Sequence, residues 1–297
     1  MIDLHTHTTY SDGADDPSTL LQHASNLGLT YLSITDHNSV SAYRDQAIAR
    51  WHDLYGGILI PGIEITCMYA GEVVEVLGYG YDLDMMESQL SNNVLTFEHK
   101  QLAEARLIFA AFEEAGITVD AGEISFDPKH ESSRKSFFSL IKRNPANRRL
   151  LSNSASWESS RIFTREEIYN PESKLYVNES SLYPTVSKAS GMIHAARGIA
   201  FLAHLYIYAS ARHIRKNLVT FVREASLDGV ECTHSAFNDV QIHDLESFTT
   251  AQNLLKSGGS DYHGSRKPDI SLGRGRGRLS VPESYLEGWP FSALEAF

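Results

Sequence analysis

Histidine and carboxylate side chains follow the short aliphatic and β-branched segments of this 297-residue chain in a regular pattern. The first segment, residues 2–5, runs into His5 and His7, and the last, residues 258–260, runs into Asp261 and His263. Parallel strands of α/β proteins end at one edge, so side chains at their carboxyl ends come together. Nine side chains follow this pattern: His5, His7, Asp12, His37, Glu64, Glu75, His204, Asp261 and His263.

Strand and helix patterns alternate along most of the chain. Strands are predicted at residues 2–5, 31–36, 58–66, 73–78, 199–203, 229–232 and 258–260. Helices are predicted at residues 16–27, 41–54, 186–197, 212–225 and 240–255. This βαβα order is typical of an α/β fold with a mainly parallel sheet.

The alternation is interrupted between residues 95 and 184. A long amphipathic pattern over residues 97–116 ends in glycine, as helices commonly do, and polar, serine-rich sequence follows it. We therefore predict three sections. Residues 1–94 and 185–297 form the two parts of the main domain, and residues 95–184 form a helical insertion.

The residue types at the strand ends indicate metal ions. Side chains alternate along a strand, so His5 and His7 face one side and can bind the same ion. One ion takes four or five ligands, so nine fit two or three ions that share a bridging carboxylate. Imidazole and carboxylate without thiolate favour Mn, Fe or Zn over Ca. A single histidine at a strand end is usually only hydrogen-bonded, but the repetition favours a metal centre.

Cysteine content and charge exclude other classes of protein. Cys67 and Cys232 lie in apolar segments and are predicted to be buried thiols. The formal net charge of −11 argues against binding long duplex nucleic acid, although a small anionic substrate remains compatible with it. The sequence has no membrane-spanning segment and no secretory signal, so we expect a cytoplasmic protein without a membrane partner.

Six segments resemble the motifs of the PHP (polymerase and histidinol phosphatase) family: HTHTTYSDG, ITDHNS, PGIEIT, VLGYG, FLAHL and GGSDYHG. The resemblance covers residues 1–81 and about 187–279. It is strongest to small bacterial phosphoesterases that act on nucleoside 3′,5′-bisphosphates, nucleoside monophosphates or short RNA 5′ ends. It implies a distorted (β/α)7 barrel, TIM-like, with a trinuclear metal centre and a helical insertion lobe that caps the substrate.

The resemblance also implies how the ions share their ligands. The three groups are His5, His7, Glu64 and Asp261; Glu64 and His204; and Asp12, His37 and His263. The family usually places a histidine ligand of the second ion before VLGYG, where this chain has Glu75. A carboxylate is a harder ligand, so the second site is expected to prefer Mn, Fe or Mg over Zn, or to be weak or absent.

These features predict a metal-dependent phosphoric monoester hydrolase. A hydroxide bridging two ions would attack the phosphate of a nucleoside 3′,5′-bisphosphate or 5′-monophosphate, with 5′–3′ trimming of short RNA as a further activity. The chain has no nucleophile elbow and no Walker loop. Hydrolysis of histidinol phosphate is the alternative. A second alternative is a non-catalytic metal-binding regulatory module. Glu75 in place of the usual histidine supports this alternative, and the presence of the other eight ligands argues against it.

Substrate contacts are expected from side chains outside the ligand set. His234 follows the strand at residues 229–232 and can protonate the leaving oxygen or hydrogen-bond the phosphate, unless it is a solvated loop residue. Arg134 and Lys174 lie in the insertion, near the positions where the related phosphoesterases carry the motifs R-P-H and G-K-P-A-Y-V. The resemblance implies that these two side chains hold a second phosphate, and surface charge is the alternative.

Three arginines alternate with glycines near the end of the chain: Arg274, Arg276 and Arg278. They could follow RNA phosphates, but we favour a solvated, irregular turn for this segment.

Overall fold

The computed structural model describes residues 1–119 and 126–290. Two compact units are present: Met1–Val94 with Pro184–Phe297, here the barrel unit, and Leu95–Tyr183, here the insertion unit. The predicted insertion includes residues 120–125, and the predicted last section includes residues 291–297. Both segments lie outside the described residues.

Seven strands of the described residues form one sheet in chain order. They are β1 (Ile2–Asp3), β2 (Tyr31–Ile34), β3 (Ile58–Tyr69), β4 (Glu72–Tyr79), β5 (Ile199–Leu202), β6 (Gly229–His234) and β7 (Leu255–Gly259). All neighbouring strands are parallel except β4, which is antiparallel to both β3 and β5.

Backbone contacts between the first and last strands bring the sheet close to a barrel. The amide of Leu4 donates to the carbonyl of Gly258 at 3.1 Å, and further along the amide of Asp261 donates to the carbonyl of His5 at 2.8 Å. A Cβ atom on Gly259 would lie 2.4 Å from the His5 amide nitrogen, so only glycine permits this approach. The predicted distorted (β/α)7 barrel is confirmed.

The reversed direction of β4 differs from the expected βαβ order. Ala70 and Gly71 connect β3 to β4 with φ of 49° and 84°, the left-handed conformations of a tight hairpin. Two residues cannot form a crossover, so the strands must be antiparallel. As a result Glu75, in the first half of β4, lies opposite Thr66 near the end of β3. Reversal thus brings Glu75 to the edge where the parallel strands end.

The helices of the described residues are numbered in chain order. They are α1 (Pro17–Asn26), α2 (Trp51–Leu54), α3 (Leu83–Asn93), α4 (Phe97–Glu114), α5 (Ser133–Ile141), α6 (Ser160–Phe163), α7 (Val186–Ala195), α8 (Ala211–Lys216), α9 (Leu218–Glu224) and α10 (Asp239–Gln252). The predicted start of α1 is confirmed, because Asp16 accepts a hydrogen bond from the Thr19 amide and Pro17 is the first helical residue. Helix α3 was not predicted. None of these helices has the length and apolar composition that a membrane span requires.

Two predicted helices are broken by polar side chains that bond to the backbone. Residues 41–54 form two short 3₁₀ turns before α2, and the Asp45 side chain between the turns accepts from the Ala47 amide at 2.7 Å. Residues 212–225 divide into α8 and α9 at Asn217, whose side-chain amide donates to the His213 carbonyl at 3.0 Å. Short polar side chains compete in this way with helical hydrogen bonding.

Each unit has its own apolar core. The core of the barrel unit includes Leu4, which follows β1, together with Ile63 of β3 and Phe201 of β5. In the insertion unit Phe112 of α4 packs edge-on against Phe137 of α5, with ring centroids 5.5 Å apart. Such separate cores are typical of independently packed units.

Candidate metal centre

All nine side chains selected from the sequence come together at one end of the barrel unit. Their ligand atoms form four overlapping groups, each within 4.8 Å. The groups are His7, Asp12, His37 and His263; His5, His7 and Asp261; His5, Glu64 and His204; and His37, Glu64 and Glu75. Because the groups share members, the arrangement suits neighbouring ions that share ligands.

Glu64 lies at the centre of the cluster. Its Oε2 atom is 3.2 Å from His5 Nε2, 3.3 Å from His7 Nε2 and 3.2 Å from His37 Nδ1. Its Oε1 atom is 2.8 Å from His204 Nε2. A carboxylate with each oxygen directed to a different set of imidazoles has the geometry of a bridging ligand.

Glu75 faces the same centre. Its Oε1 atom is 3.3 Å from His37 Nδ1, and its Oε2 atom is 3.1 Å from His204 Nε2. The position where the family usually has histidine is therefore occupied by a carboxylate that reaches the cluster. His37 also extends to the outer group, where its Nε2 atom is 3.7 Å from Asp12 Oδ1.

The outer group lies around Asp12. His263 Nε2 is 3.2 Å from Asp12 Oδ1, and His263 Nδ1 is 2.9 Å from the carbonyl oxygen of Asp261. A carbonyl oxygen only accepts hydrogen bonds, so Nδ1 carries a proton and Nε2 is the nitrogen directed toward Asp12. This orientation of His263 suits coordination of an ion through Nε2.

Two buried carboxylates that were not predicted as functional hold the loops of the site. Asp36 accepts from the amide of Thr8 at 2.7 Å and the hydroxyl of Ser11 at 2.6 Å, which orders the loop that carries Asp12. Asp3 accepts from the amide of Ser260 at 2.8 Å, immediately before Asp261. Asp36 and Asp3 lie close to the predicted ligands His37 and His5 in the sequence, and this proximity could have indicated their role.

Glu231 is the most important residue missed by the sequence analysis. It is fully buried in β6 and accepts from the Nδ1 of His5 at 2.9 Å and from the amide of His204 at 2.7 Å. One carboxylate thus positions two candidate ligands, as second carboxylates commonly do beside metal-binding histidines. The signal was a glutamate inside the otherwise apolar start of GVECTH.

Burial and neighbouring charges set the protonation of the cluster. Burial lowers the pKa of His7 to about 3, so this ring is neutral. Burial opposes the charge on His204, but Glu64 and Glu75 raise its pKa to about 10. Burial also opposes ionisation of Glu64, yet His5 and His37 hold the pKa of that carboxyl well below its usual range. Bound cations would replace the protons of such imidazolium groups.

Several buried imidazole nitrogens have no hydrogen-bond partner among the described residues. They are His5 Nε2, both ring nitrogens of His7, His37 Nδ1, His204 Nδ1 and His234 Nε2. Buried polar atoms without partners are costly and call for a ligand. The mixed imidazole and carboxylate donor set fits divalent transition metals.

His234 is 4% exposed and ends β6, so it is not a solvated loop residue. Its Nδ1 atom accepts from the amide of Ala236 at 3.1 Å, and its Nε2 atom lies 3.5 Å from Asp261 Oδ2. An amide only donates, so the ring proton is on Nε2. This arrangement directs a hydrogen-bond donor toward the metal centre.

Arg134 and Lys174, the two residues predicted to contact a second phosphate, both belong to the insertion unit. Arg134 donates from Nε to Glu104 at 2.5 Å and stacks over the Tyr169 ring at 5.0 Å, so its charge is already paired. Lys174 is exposed. A role for either residue in substrate binding stays a prediction.

Comparison with known proteins adds a family match. Residues 3–241 match the family model described as PHP domain. The chain is 26% identical over 263 residues to the 3′,5′-nucleoside bisphosphate phosphatase of Chromobacterium violaceum, covering 88% of this chain and 87% of that protein. It is 27% identical over 291 residues to the 5′-3′ exoribonuclease Rnm of Escherichia coli, covering 97% and 92% respectively.

Two solved structures share the fold. One is an amidohydrolase from Chromobacterium violaceum with bound sulfate and no metal, with a TM-score of 0.62, 23% identity and coverage of 96% of this chain and 92% of that one. The other, from Bifidobacterium adolescentis, is assigned as a metal-dependent phosphoesterase, with a TM-score of 0.62, 21% identity and coverage of 96% and 94%.

Proposed function

This chain belongs to the PHP domain family and is a metal-dependent phosphoesterase, and from that premise we propose that it hydrolyses phosphate monoesters of nucleotides. The substrates proposed are nucleoside 3′,5′-bisphosphates and 5′-monophosphates. The observation that carries the proposal is Glu64, which lies within 3.3 Å of four imidazoles at the edge where barrel enzymes place their active sites. The names of the relatives support a nucleotide substrate.

The assignment of ligands to the metal ions follows the resemblance to the family, and the four overlapping groups contain all of these residues. His5, His7, Glu64 and Asp261 would hold one ion, Glu64, Glu75 and His204 a second, and Asp12, His37 and His263 a third. Two to three divalent ions, of Mn, Fe or Zn, would activate water as the nucleophile and neutralise charge on the phosphoryl oxygens.

The residues of the chain define the surroundings of that reaction. His234 donates from Nε2 at the edge of the cluster, where it can stabilise a phosphoryl or leaving oxygen. It does not suit the role of proton donor, because a second proton on Nδ1 would displace the amide of Ala236. Of the two roles predicted for His234, we therefore favour hydrogen bonding to the phosphate.

A phosphate-release screen combined with metal analysis tests the proposal. The purified protein is expected to contain about two to three equivalents of transition metal and to lose activity after chelation. The substrates compared are a nucleoside 3′,5′-bisphosphate, a 5′-monophosphate, a 5′-phosphorylated short RNA and histidinol phosphate. Full activity of metal-stripped protein would overturn the mechanism, and preference for histidinol phosphate would overturn the nucleotide assignment.

A further inference from the structure

A cavity of about 330 Å³ lies beside the metal centre, within the barrel unit. Its size falls within the range of small-molecule sites, roughly 300–1,000 Å³. The residues that form its walls include His234, Phe237, Ile242, Arg276, Arg278 and Leu279. Imidazole, aromatic and guanidinium groups in one cavity are a suitable lining for a nucleotide.

His234 joins this cavity to the metal centre. The ring lines the cavity, and its Nε2 atom is 3.5 Å from Asp261 Oδ2 and has no hydrogen-bond partner among residues 1–119 and 126–290. The next residue, Ser235, donates its hydroxyl to the carbonyl of Ser260, which precedes Asp261. A ligand in the cavity would therefore lie next to a phosphate bound at the cluster.

Phe237 forms the aromatic wall. Its ring is half-buried, with its centroid 5.3 Å from that of His234 and 5.3 Å from that of Tyr206, which it meets edge to face. The Tyr206 hydroxyl donates to Asp244, and Arg215 Nη2 donates to the same carboxylate at 2.7 Å. These contacts hold Phe237 in place with part of its surface exposed, as a base-stacking residue requires.

The glycine and arginine turn forms the basic wall. The amide of Ser271 donates to the carbonyl of Gly275 at 2.8 Å, and Gly275 has a φ of 52°. A Cβ on Gly275 would lie 2.5 Å from Ser235 Oγ, so the turn packs against the loop after β6. The segment is a turn with exposed arginines, as we predicted, and its glycines permit the backbone conformations that the turn requires.

The two arginines of the wall differ in their pairing. Arg276 Nη2 lies 3.3 Å from Asp269 Oδ2. The Arg278 side chain has no hydrogen bond or ion pair to any described residue. Asp239 also lines the cavity, so two guanidinium groups face one carboxylate there. Arg278 is therefore the cation available for an anionic ligand.

We infer that this cavity is a nucleotide subsite in which a base stacks on Phe237 and a second phosphate pairs with Arg278. The inference rests on the proposed function, since His234 orients the substrate between the cavity and the reacting phosphate. A nucleoside 3′,5′-bisphosphate and a 5′-phosphorylated short RNA both offer a base and a second phosphate.

The test uses the metal-loaded protein with Phe237→Leu, Arg278→Ala and the control Arg274→Ala, from the same turn but not in the cavity lining. kcat/KM is measured for ribose 5-phosphate, a nucleoside 5′-monophosphate, the 3′,5′-bisphosphate and a 5′-phosphorylated dinucleotide. Equilibrium binding of the bisphosphate is measured in parallel, because it does not depend on turnover.

Phe237→Leu is expected to lower kcat/KM for the nucleotides about tenfold more than for ribose 5-phosphate. Arg278→Ala is expected to lower it about tenfold more for the bisphosphate or the dinucleotide than for the monophosphate. The more affected of these two substrates identifies the source of the second phosphate. Arg274→Ala should keep the wild-type ratios.

Equal effects on all substrates, or equal effects of the Arg274 and Arg278 variants, would overturn the subsite while leaving the proposed phosphatase intact. If the wild type binds the bisphosphate without hydrolysing any nucleotide and both variants weaken that binding, the subsite is supported and the proposed function fails. A wild-type protein that neither binds nor hydrolyses nucleotides would overturn both.

Discussion

The carboxylate of Glu231 lies 2.9 Å from the Nδ1 atom of His5, and both side chains are fully buried. With the Nδ1 proton donated to Glu231, the Nε2 atom of His5 is directed to Glu64 and Asp261, at 3.2 and 3.8 Å, and is the nitrogen that would bind an ion in place of a proton. The same carboxylate accepts from the amide of His204. Glu231 therefore orients two candidate ligands and is not itself a member of the four ligand groups.

Glu231→Gln is expected to lower metal affinity by about 10–100-fold, because the weaker acceptor reduces the basicity and the orientation of His5. Metal-competition titration of the purified variant measures this change. Glu287→Gln, an exposed glutamate of the same unit, is the control and should bind metal as the wild type does. Wild-type affinity in the Glu231 variant would show that this contact does not support a metal site.

Replacement of Asp12, His37 or His263 by asparagine or alanine should abolish turnover, a loss on the order of a hundredfold or more. These side chains form the outer ligand group. The fold should persist for Asp12 and His37, whose side chains are 55% and 28% exposed. Phosphate release and thermal unfolding are compared, with exposed Asp53→Asn as the control. Unfolding of all the variants would point instead to a purely structural cluster.

Glu75→His should retain activity but shift metal preference toward Zn, because imidazole is a softer ligand and removes one negative charge. Glu75→Ala should lower the metal content by about one ion. Elemental analysis after loading with Mn, Fe or Zn measures both effects. Glu72→Gln on the same strand is the control, because the Glu72 carboxylate accepts hydrogen bonds from the amides of Ala209 and Ser210 and is not part of the ligand groups. Unchanged stoichiometry and preference in both Glu75 variants would place Glu75 outside the coordination sphere.

The buried pair of Glu104 and Glu179 should make the insertion unit sensitive to pH. Burial, followed by hydrogen bonding with Glu104, raises the pKa of Glu179 to about 8 from an ordinary 4.5. The folded state therefore holds this proton at pH values where the unfolded chain has lost it. The contribution of Glu179 to stability is fully present below pH 4.5 and is lost as the pH rises through about 8.

Glu179→Gln mimics the protonated carboxyl and should flatten the decline in stability between pH 5 and 8. Amide hydrogen exchange in α4 and α5 of the full chain reports on this unit directly. The control is Glu114→Gln, at an exposed position of α4. A parallel pH dependence in the wild type and the Glu179 variant would contradict the raised pKa.

Local patterns in the sequence were sufficient for an α/β fold with a mainly parallel sheet and for the choice of candidate ligands, whereas the barrel was implied by the resemblance to the PHP family. Strand periodicity and the residues that follow each strand are properties of neighbouring residues, so His5, His7 and Asp261 could be selected without knowing which strands pair. The sequence analysis did not assign a direction to β4, which the hairpin at Ala70 and Gly71 makes antiparallel within a mainly parallel sheet.

Tertiary structure alone decided which side chains support the ligands. Glu231 is 226 residues from His5 in the chain, and no local pattern relates them. The cavity beside His234 likewise requires that the glycine and arginine turn pack against the loop after β6. Residue types at strand ends determine which chemistry is available. Pairing between distant strands and loops determines which supporting side chains and which cavity lie next to those residues, because these contacts form only when the barrel closes.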